Sequence, residues 1–499
     1  MLVFGVPGSL VGIVADVATI PDDRIPHMSS TRPARTPSFR FLAAKPALLF
    51  AFAFAVMADP VSSVAYAVEA ALRALNGDLA LLVATMCLVV AVIGLVIVNY
   101  HQLVARYPNG GGASAAIGEA FGEAWAFIPI GALIVDFVLT IAISVSAGAS
   151  AVIAYVPALA PWRIVLAIGL LVFVAVLTWF GHLGRLLFAV LTVAFIVVAV
   201  WVIVDGMFAT PHPTGQITHH AGASPLLAIV LAFPVAMALA TGAEAPSSAI
   251  AQLGQLDDRD RRRFGRTTLW LTLGIVGTIT IGIAFVATRL QIGIPAPEDT
   301  QIANLARIAT SAPVYAAFQL VTALLLLSAA SSSFQAGPGL LKALARATHH
   351  DGRATGILPG GLGRVNAHHT PYWGVAIFLV LAGVITVLAG GNDQELVLFY
   401  AVSVFLSFLA GLTAMAVFAA RERRPVVLAL NAVGAIAVAF TLVMDLARID
   451  PIASLIAALA IAGILYVVWV RAGRPTGIRN ITAEAEAGAA DATGESSRG

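Results

Sequence analysis

Asp59, Asp136 and Glu244 stand inside segments otherwise apolar enough to cross a bilayer: AFAFAVMADPVSSVAYAVEAAL, IPIGALIVDFVLTIAISVSAG and LAFPVAMALATGAEAPSSAIA. An ionised side chain at the bilayer centre costs roughly 2.5 to 3.5 kcal/mol on insertion scales, so three of them oppose insertion by about 8 to 10 kcal/mol unless something pairs with them. No Lys or Arg falls near the middle of any apolar segment, which disfavours a structural ion pair and points to a cation. Neutral oxygens accompany the acids at helical spacing. Asp136, Thr140 and Ser144 recur every four residues and share a helix face, Thr241 lies three before Glu244, and Tyr66 lies seven after Asp59. For any one Ser or Thr alone, a bond to its own helix carbonyl is the commoner role. Carboxylate, hydroxyl and carbonyl oxygens are hard ligands suited to an alkali cation, and no histidine or thiolate stands by to favour a transition metal. The ammonium group of a polyamine or cationic amino acid suits the same acids. A substrate α-carboxylate would need exposed backbone donors at a glycine-bearing break, and ADPVSS carries no glycine, so anionic substrates are disfavoured.

Positioning these groups requires a polytopic membrane protein. With 60% hydrophobic and 11% charged residues and a mean hydropathy of +0.94, the chain lacks the polar surface of a soluble domain. Apolar runs long enough to cross a core of about 30 Å predict twelve spans, an all-α integral membrane fold. They fall near 44–75, 79–99, 114–155, 163–180, 184–205, 224–252, 268–289, 313–346, 372–390, 395–420, 426–444 and 450–471. The loop residues Arg106, Arg185, Arg259 to Arg266, Lys342, Arg346, Arg353, Arg364, Arg421, Arg423 and Arg424 fall on one side, which places both termini in the cytoplasm of a cell carrying the protein in its plasma membrane. Spans one and six are overlong and interrupted midway, by ADPVSS with Pro60 and by ATGAEAPSS with Gly242 and Pro246. Irregular backbone at membrane depth is tolerated where it lines a protein-enclosed cavity. Two breaks five spans apart predict a five-plus-five inverted repeat, plus two helices, with the substrate site at the breaks.

The remaining features carry less. Residues 1–43 read as a disordered cytoplasmic arm, with Met28 an equally good start, and 472–499 as a disordered cytoplasmic tail around a transporter domain at 44–471. Cys87, the only cysteine, excludes an internal disulfide and reads as a small core or lipid-facing residue. His212, His219, His220, His349, His350, His368 and His369 read as solvated loop residues rather than a zinc site. The triple glycine at 110–112 lacks the lysine and preceding strand of a phosphate loop and reads as a flexible connection, and SSSFQAGPG at 331–339 as small-residue packing or a kink. With no nucleophile elbow or nearby base, no enzymatic activity and no cofactor are expected. The small net charge of +2, dispersed over short loops, gives no nucleic-acid surface.

The five-plus-five pattern, the YPNGGGAS elbow before span three and the interrupted spans resemble the amino acid, polyamine and organocation transporter superfamily. Within it, DPVSSVAY at 59–66, DFVLTIAISVSAG at 136–148, TGAE at 241–244 and YAVSVFLSF at 400–408 resemble the proton-coupled potassium importers of the KUP and KimA kind. The resemblance implies a potassium path formed by Asp59, Tyr66, Asp136, Thr140, Ser144, Thr241, Glu244 and Tyr400. It implies the ion held among Asp59, Asp136, Thr140, Thr241 and Glu244, and the coupled proton exchanged at Glu244. Pro60 departs from the small residue expected after the first acid, and the large soluble domain of such importers is not expected here. The function so implied is a secondary active transporter importing a monovalent cation, potassium, by proton symport. The alternative is an amino acid or polyamine permease. The expected partners are the bilayer, the transported solute and protons, with a homodimer left open.

Overall fold

Long runs of Ala, Leu, Val and Ile interrupted by few charges can satisfy their backbone only within themselves in a lipid environment, so they fold as helices. The computed structural model describes residues 39–180, 185–219, 224–346, 356–448 and 451–492. The helices are α1 (Phe39–Val56), α2 (Ala58–Ser62), α3 (Val64–Ala74), α4 (Leu79–Arg106), α5 (Gly112–Phe121), α6 (Phe127–Tyr155), α7 (Arg163–Trp179), α8 (Arg185–Phe208), α9 (Pro225–Ala236) and α10 (Ala245–Ala249). They continue with α11 (Asp258–Leu290), α12 (Gln301–Ala309), α13 (Ala312–Arg346), α14 (Tyr372–Leu388), α15 (Asp393–Arg421), α16 (Pro425–Leu446), α17 (Ile452–Arg471) and α18 (Ile481–Ala492). Among the described residues ten helices are long and apolar enough to cross a membrane. Shorter apolar helices, Pro46–Val56 and Tyr372–Leu388, fall at the expected first and ninth segments. No strand occurs among these residues, only isolated bridges pairing Thr214 with Ile292 and Gln216 with Ile294.

Local sequence sets the helix starts. The Asp78, Asp257 and Asn392 side chains accept from the backbone N–H of Ala80, Asp260 and Gln394, capping α4, α11 and α15, and Pro225 and Pro425 occupy opening positions where no donor is missed. Helix α6 is the central post, packed against α7, α13, α15 and α17 and buried along most of its length. By contrast α7, α8, α14, α16 and α17 present large apolar side chains outward, among them Phe173, Val190, Val384, Ile436 and Ile464. An apolar belt of that extent fits a lipid surround. Cys87 faces outward with it.

Several expectations are revised. The predicted span at 114–155 is two pieces, α5 and α6, separated by Gly122 at φ 109° and a 3₁₀ turn at Glu123–Ala126. The stretch 331–339, read as small-residue packing or a kink, lies within the continuous helix α13, where Gly337 packs so closely on Phe378 that a Cβ would collide with its ring. Residues 478–492, expected within a disordered tail, form a 3₁₀ turn and α18, because Ile478, Ile481 and Ala485 supply an apolar stripe that buries against α13 and α5. Most of the expected N-terminal arm, together with His220, His349, His350 and Arg353, lies outside the described residues.

The two interruptions are both present and unequal. In the first segment the helix is divided at Met57 and Ser63, yet the bonds Met57 N–H to Ala53 O, Val61 N–H to Met57 O and Ala67 N–H to Ser63 O carry the ladder through. Pro60 removes one donor only, and the Ser62 and Ser63 hydroxyls bond back to the carbonyls of Asp59 and Pro60, both at 2.7 Å. The sixth segment unwinds: α9 tightens to a 3₁₀ turn at Met237–Ala240, Thr241 is extended at ψ 130°, Gly242 takes φ +69°, and α10 restarts behind Glu244. Glycine supplies the left-handed residue there without a Cβ penalty.

Candidate functional site

The two interruptions meet. Ser63 Oγ also lies 3.2 Å from the Leu239 carbonyl, the Tyr66 hydroxyl donates to Thr241 Oγ1 at 3.3 Å, and Gly242 sits so close to Asp59 that a Cβ there would stand 2.8 Å from Asp59 Oδ2. Thr241 spends its own hydroxyl proton on the Ala238 carbonyl at 2.7 Å, the local role weighed for it from sequence. From the opposite wall, α6 brings Asp136, and α15 brings Tyr400 to face it. Asp59, Asp136 and Glu244 are near enough to act on one another's charge, and Tyr66 and Tyr400 stand in the same field. Thr140 and Ser144 follow Asp136 on one buried face of α6, with no bond tying them to the other site residues.

Three oxygens of this group are buried without a hydrogen-bond partner, Asp59 Oδ1, Asp136 Oδ1 and Thr140 Oγ1, while the Tyr400 hydroxyl faces the Asp136 carboxylate without closing an ordinary hydrogen bond to it. Orphaned hydroxyls also occur at Thr272, Thr280 and Thr386, so Thr140 gains meaning only from its neighbours. Unpaired carboxylate oxygens are rarer and costlier, since burying a charge without compensation is strongly unfavourable. No Lys or Arg acts on Asp59, Asp136 or Glu244 among the described residues. Among the described residues no three acidic, histidine or cysteine side chains gather tightly enough to hold a metal ion in this conformation.

Two residues missed in the sequence complete the site. The Tyr100 hydroxyl donates to Glu244 Oε2 at 2.8 Å and Ser407 Oγ donates to the same oxygen at 2.5 Å. A signal existed for both. Tyr100 belongs to the polar run NYHQ in an otherwise apolar helix, and Ser407 lies seven after Tyr400 with Ser403 between, on one face of α15. On the face away from the Arg-rich loops, a further set of bonds links the helices beyond the breaks. Glu69 is gripped by Arg73 at 2.8 Å and accepts from the Gln301 N–H of α12 at 2.8 Å, and Gln394 Nε2 reaches the Tyr66 carbonyl at 3.4 Å. Asp393 Oδ1 accepts from Ser150 at 2.6 Å, and Arg163 holds both Ser150 and the Pro297 carbonyl.

An all-helical bundle with two interrupted helices around buried acids defines a membrane transporter. The model of the amino acid permease family matches residues 48–481, and the chain belongs to that family. Among characterised relatives, the potassium transporter KimA of Bacillus subtilis (strain 168) is 31% identical over 380 residues, which cover 72% of this chain and 59% of that protein, so the match spans less than two thirds of the relative. Among solved structures, a mutant of the manganese transporter of Eremococcus coleocola superposes with a TM-score of 0.46 and 13% identity over 88% of this chain and 96% of that one.

Proposed function

We propose that this chain is a secondary active transporter that imports a monovalent cation, potassium, by proton symport. One observation carries the reading: three mutually interacting carboxylates, Asp136 buried and Asp59 and Glu244 half-buried, have no basic partner among the described residues, and Asp59 and Asp136 each keep one buried oxygen unbonded, an arrangement whose charge a cation or a proton must balance. The resemblance to a potassium transporter favours a desolvated alkali ion as that cation. Asp59, Tyr66, Asp136, Thr140, Ser144, Thr241, Glu244 and Tyr400 would form its path, with Asp59, Asp136, Thr140, Thr241 and Glu244 nearest the ion. Glu244 is the proton carrier in this reading, because the hydroxyls of Tyr100 and Ser407 both converge on Oε2, which leaves Oε1 to exchange a proton for cation contact. The Arg-rich face is cytoplasmic and the bilayer is the plasma membrane. The family's own description favours a second reading, an amine or amino acid as substrate, whose ammonium group the same acids would take.

Expression in a bacterial strain lacking potassium uptake, grown at micromolar potassium, separates the two when putrescine, lysine and alanine uptake are followed alongside. Rescue of growth without organic uptake supports the first reading, and organic uptake without rescue replaces it by the second. In proteoliposomes at fixed membrane potential, an imposed proton gradient should drive accumulation by the unmodified protein and not by Glu244→Gln. Equal accumulation with and without the gradient would sink symport.

A further inference from the structure

The inner half of the sixth segment, from Glu244 to Gln252, does not end free on the Arg-rich face. One side of it lies against the glycine elbow at 110–112, where all three residues have positive φ, and a Cβ on Gly110 would stand 2.8 Å from Ala251 Cβ and 3.0 Å from the Ser248 carbonyl. Its other side lies against α18, where Gln252 Nε2 donates to Glu486 Oε2 at 2.5 Å. The same helix and the 3₁₀ turn that leads into it are anchored on parts of the protein that belong to neither break. Thr482 contacts the Ser114 hydroxyl at 2.7 Å and donates to the Gly111 carbonyl at 3.1 Å, and the Arg479 N–H donates to Glu123 at 2.9 Å. Gly118 approaches so closely that a Cβ on it would meet Arg479 Cβ at 2.6 Å, and Ile481 is fully buried.

We infer that α18 is an intramolecular latch that clamps the inner half of the sixth segment onto α5 and α13 and so restrains opening of the route toward the Arg-rich face. The restraint follows from connectivity. The Thr241–Gly242 break is the flexible joint of the sixth segment, so α10 and the turn to Gln252 are the part able to swing from it. Any such swing must separate Gln252 from Glu486 and lift Ser247 and Ser248 from the elbow while Ile478, Ile481 and Thr482 stay buried on α5. The inference rests on the transporter reading above but not on which solute is carried.

The test uses the full chain in nanodiscs, with both faces exposed to reagent, in a Cys87→Ser background carrying Ser248→Cys. Labelling of the new thiol by a hydrophilic maleimide is timed with and without Gln252→Ala or Thr482→Asp, the latter placing a charge in the buried contact with Ser114. Losing one hydrogen bond of ordinary strength should quicken labelling about threefold to tenfold. Proteoliposome uptake of whichever of potassium, putrescine or alanine the unmodified chain carries should quicken with it. If Thr482→Asp does not give a monodisperse protein, Gln252→Ala alone decides. Unchanged labelling, or faster labelling with unchanged or slower uptake, overturns the latch. A chain that carried an amine instead of potassium would leave the labelling result intact, so the two readings fail separately.

Discussion

Asp59, Asp136 and Glu244 cost free energy where they stand, and what they do not touch is as informative as what they do. The orphaned oxygens of Asp59 and Asp136 predict that neutralising either acid spares the fold. Asp59→Asn and Asp136→Asn should each abolish uptake while membrane expression and monodispersity persist, because removing a buried unpaired charge relieves the protein. Near-normal uptake by both variants would show that the acids are structural. Tyr100 and Ser407 make the opposite case, two donors on one carboxylate oxygen. Hydrogen bonds to charged groups contribute about 1.5 to 3 kcal/mol, so Tyr100→Phe and Ser407→Ala should each lower uptake efficiency by about tenfold or more. Because they share Oε2, the double variant should lose less than the product of the single losses, and strict multiplication of the two effects would mean that they act independently of Glu244. At this scale the sequence displayed the acids, whose rarity in apolar segments is itself the signal. It concealed Tyr100 and Ser407, whose helices approach Glu244 only through tertiary packing, since nothing local relates position 100 to 244.

Elements position these residues through one true unwinding and one near-continuous helix. Gly242 is where the two meet, at a left-handed φ and with no room for a Cβ beside Asp59. Gly242→Ala should therefore cost about 1 to 2 kcal/mol in backbone strain alone, lower the melting temperature of the purified protein and remove uptake. The control Gly169→Ala, in α7 with open space where its Cβ would go, should change neither. Equal behaviour of the two variants would mean that the close approach of the interrupted segments is unimportant. Proline and glycine told where the breaks fall, but not how far each opens. Around Pro60 the backbone ladder runs on through Val61 and Ser63, and the Ser62 and Ser63 hydroxyls add bonds to the carbonyls of Asp59 and Pro60, so composition alone overstates that gap. The split between α5 and α6 is hidden for a related reason: from Gly112 to Tyr155 only Glu119, Glu123 and Asp136 are charged, and the division is made by the positive φ of Gly122 and the 3₁₀ turn that follows it.

Across the whole molecule, apolar run lengths gave the helical bundle with segment limits close to those observed, because a bilayer's thickness constrains each run more tightly than a soluble core does. Sidedness rests on loop arginines, and the opposite face has several too. Those are engaged locally, Arg73 with Glu69, Arg289 with the carbonyls of Gly206 and Ala209, and Arg307 with Asp299. In a Cys87→Ala background, a cysteine at Asp260 should resist an impermeant thiol reagent in intact cells and one at His219 should react, and labelling of position 260 from outside would reverse the orientation. The tail helix was illegible because its alanine-rich sequence has the composition of a linker, and only its register against α13 and α5 makes it a packing element. One feature of the closed face also governs throughput. The bonds joining Glu69 to Gln301, Asp393 to Ser150 and Ser150 to Arg163 tie that face together, so in the proposed transport cycle every load requires those bonds to part and reform. Helix rearrangements of that kind take microseconds to milliseconds, a cadence far below that of free diffusion through a pore, and if the chain carries a cation as proposed, a patch electrode over it should register a smooth current without unitary steps.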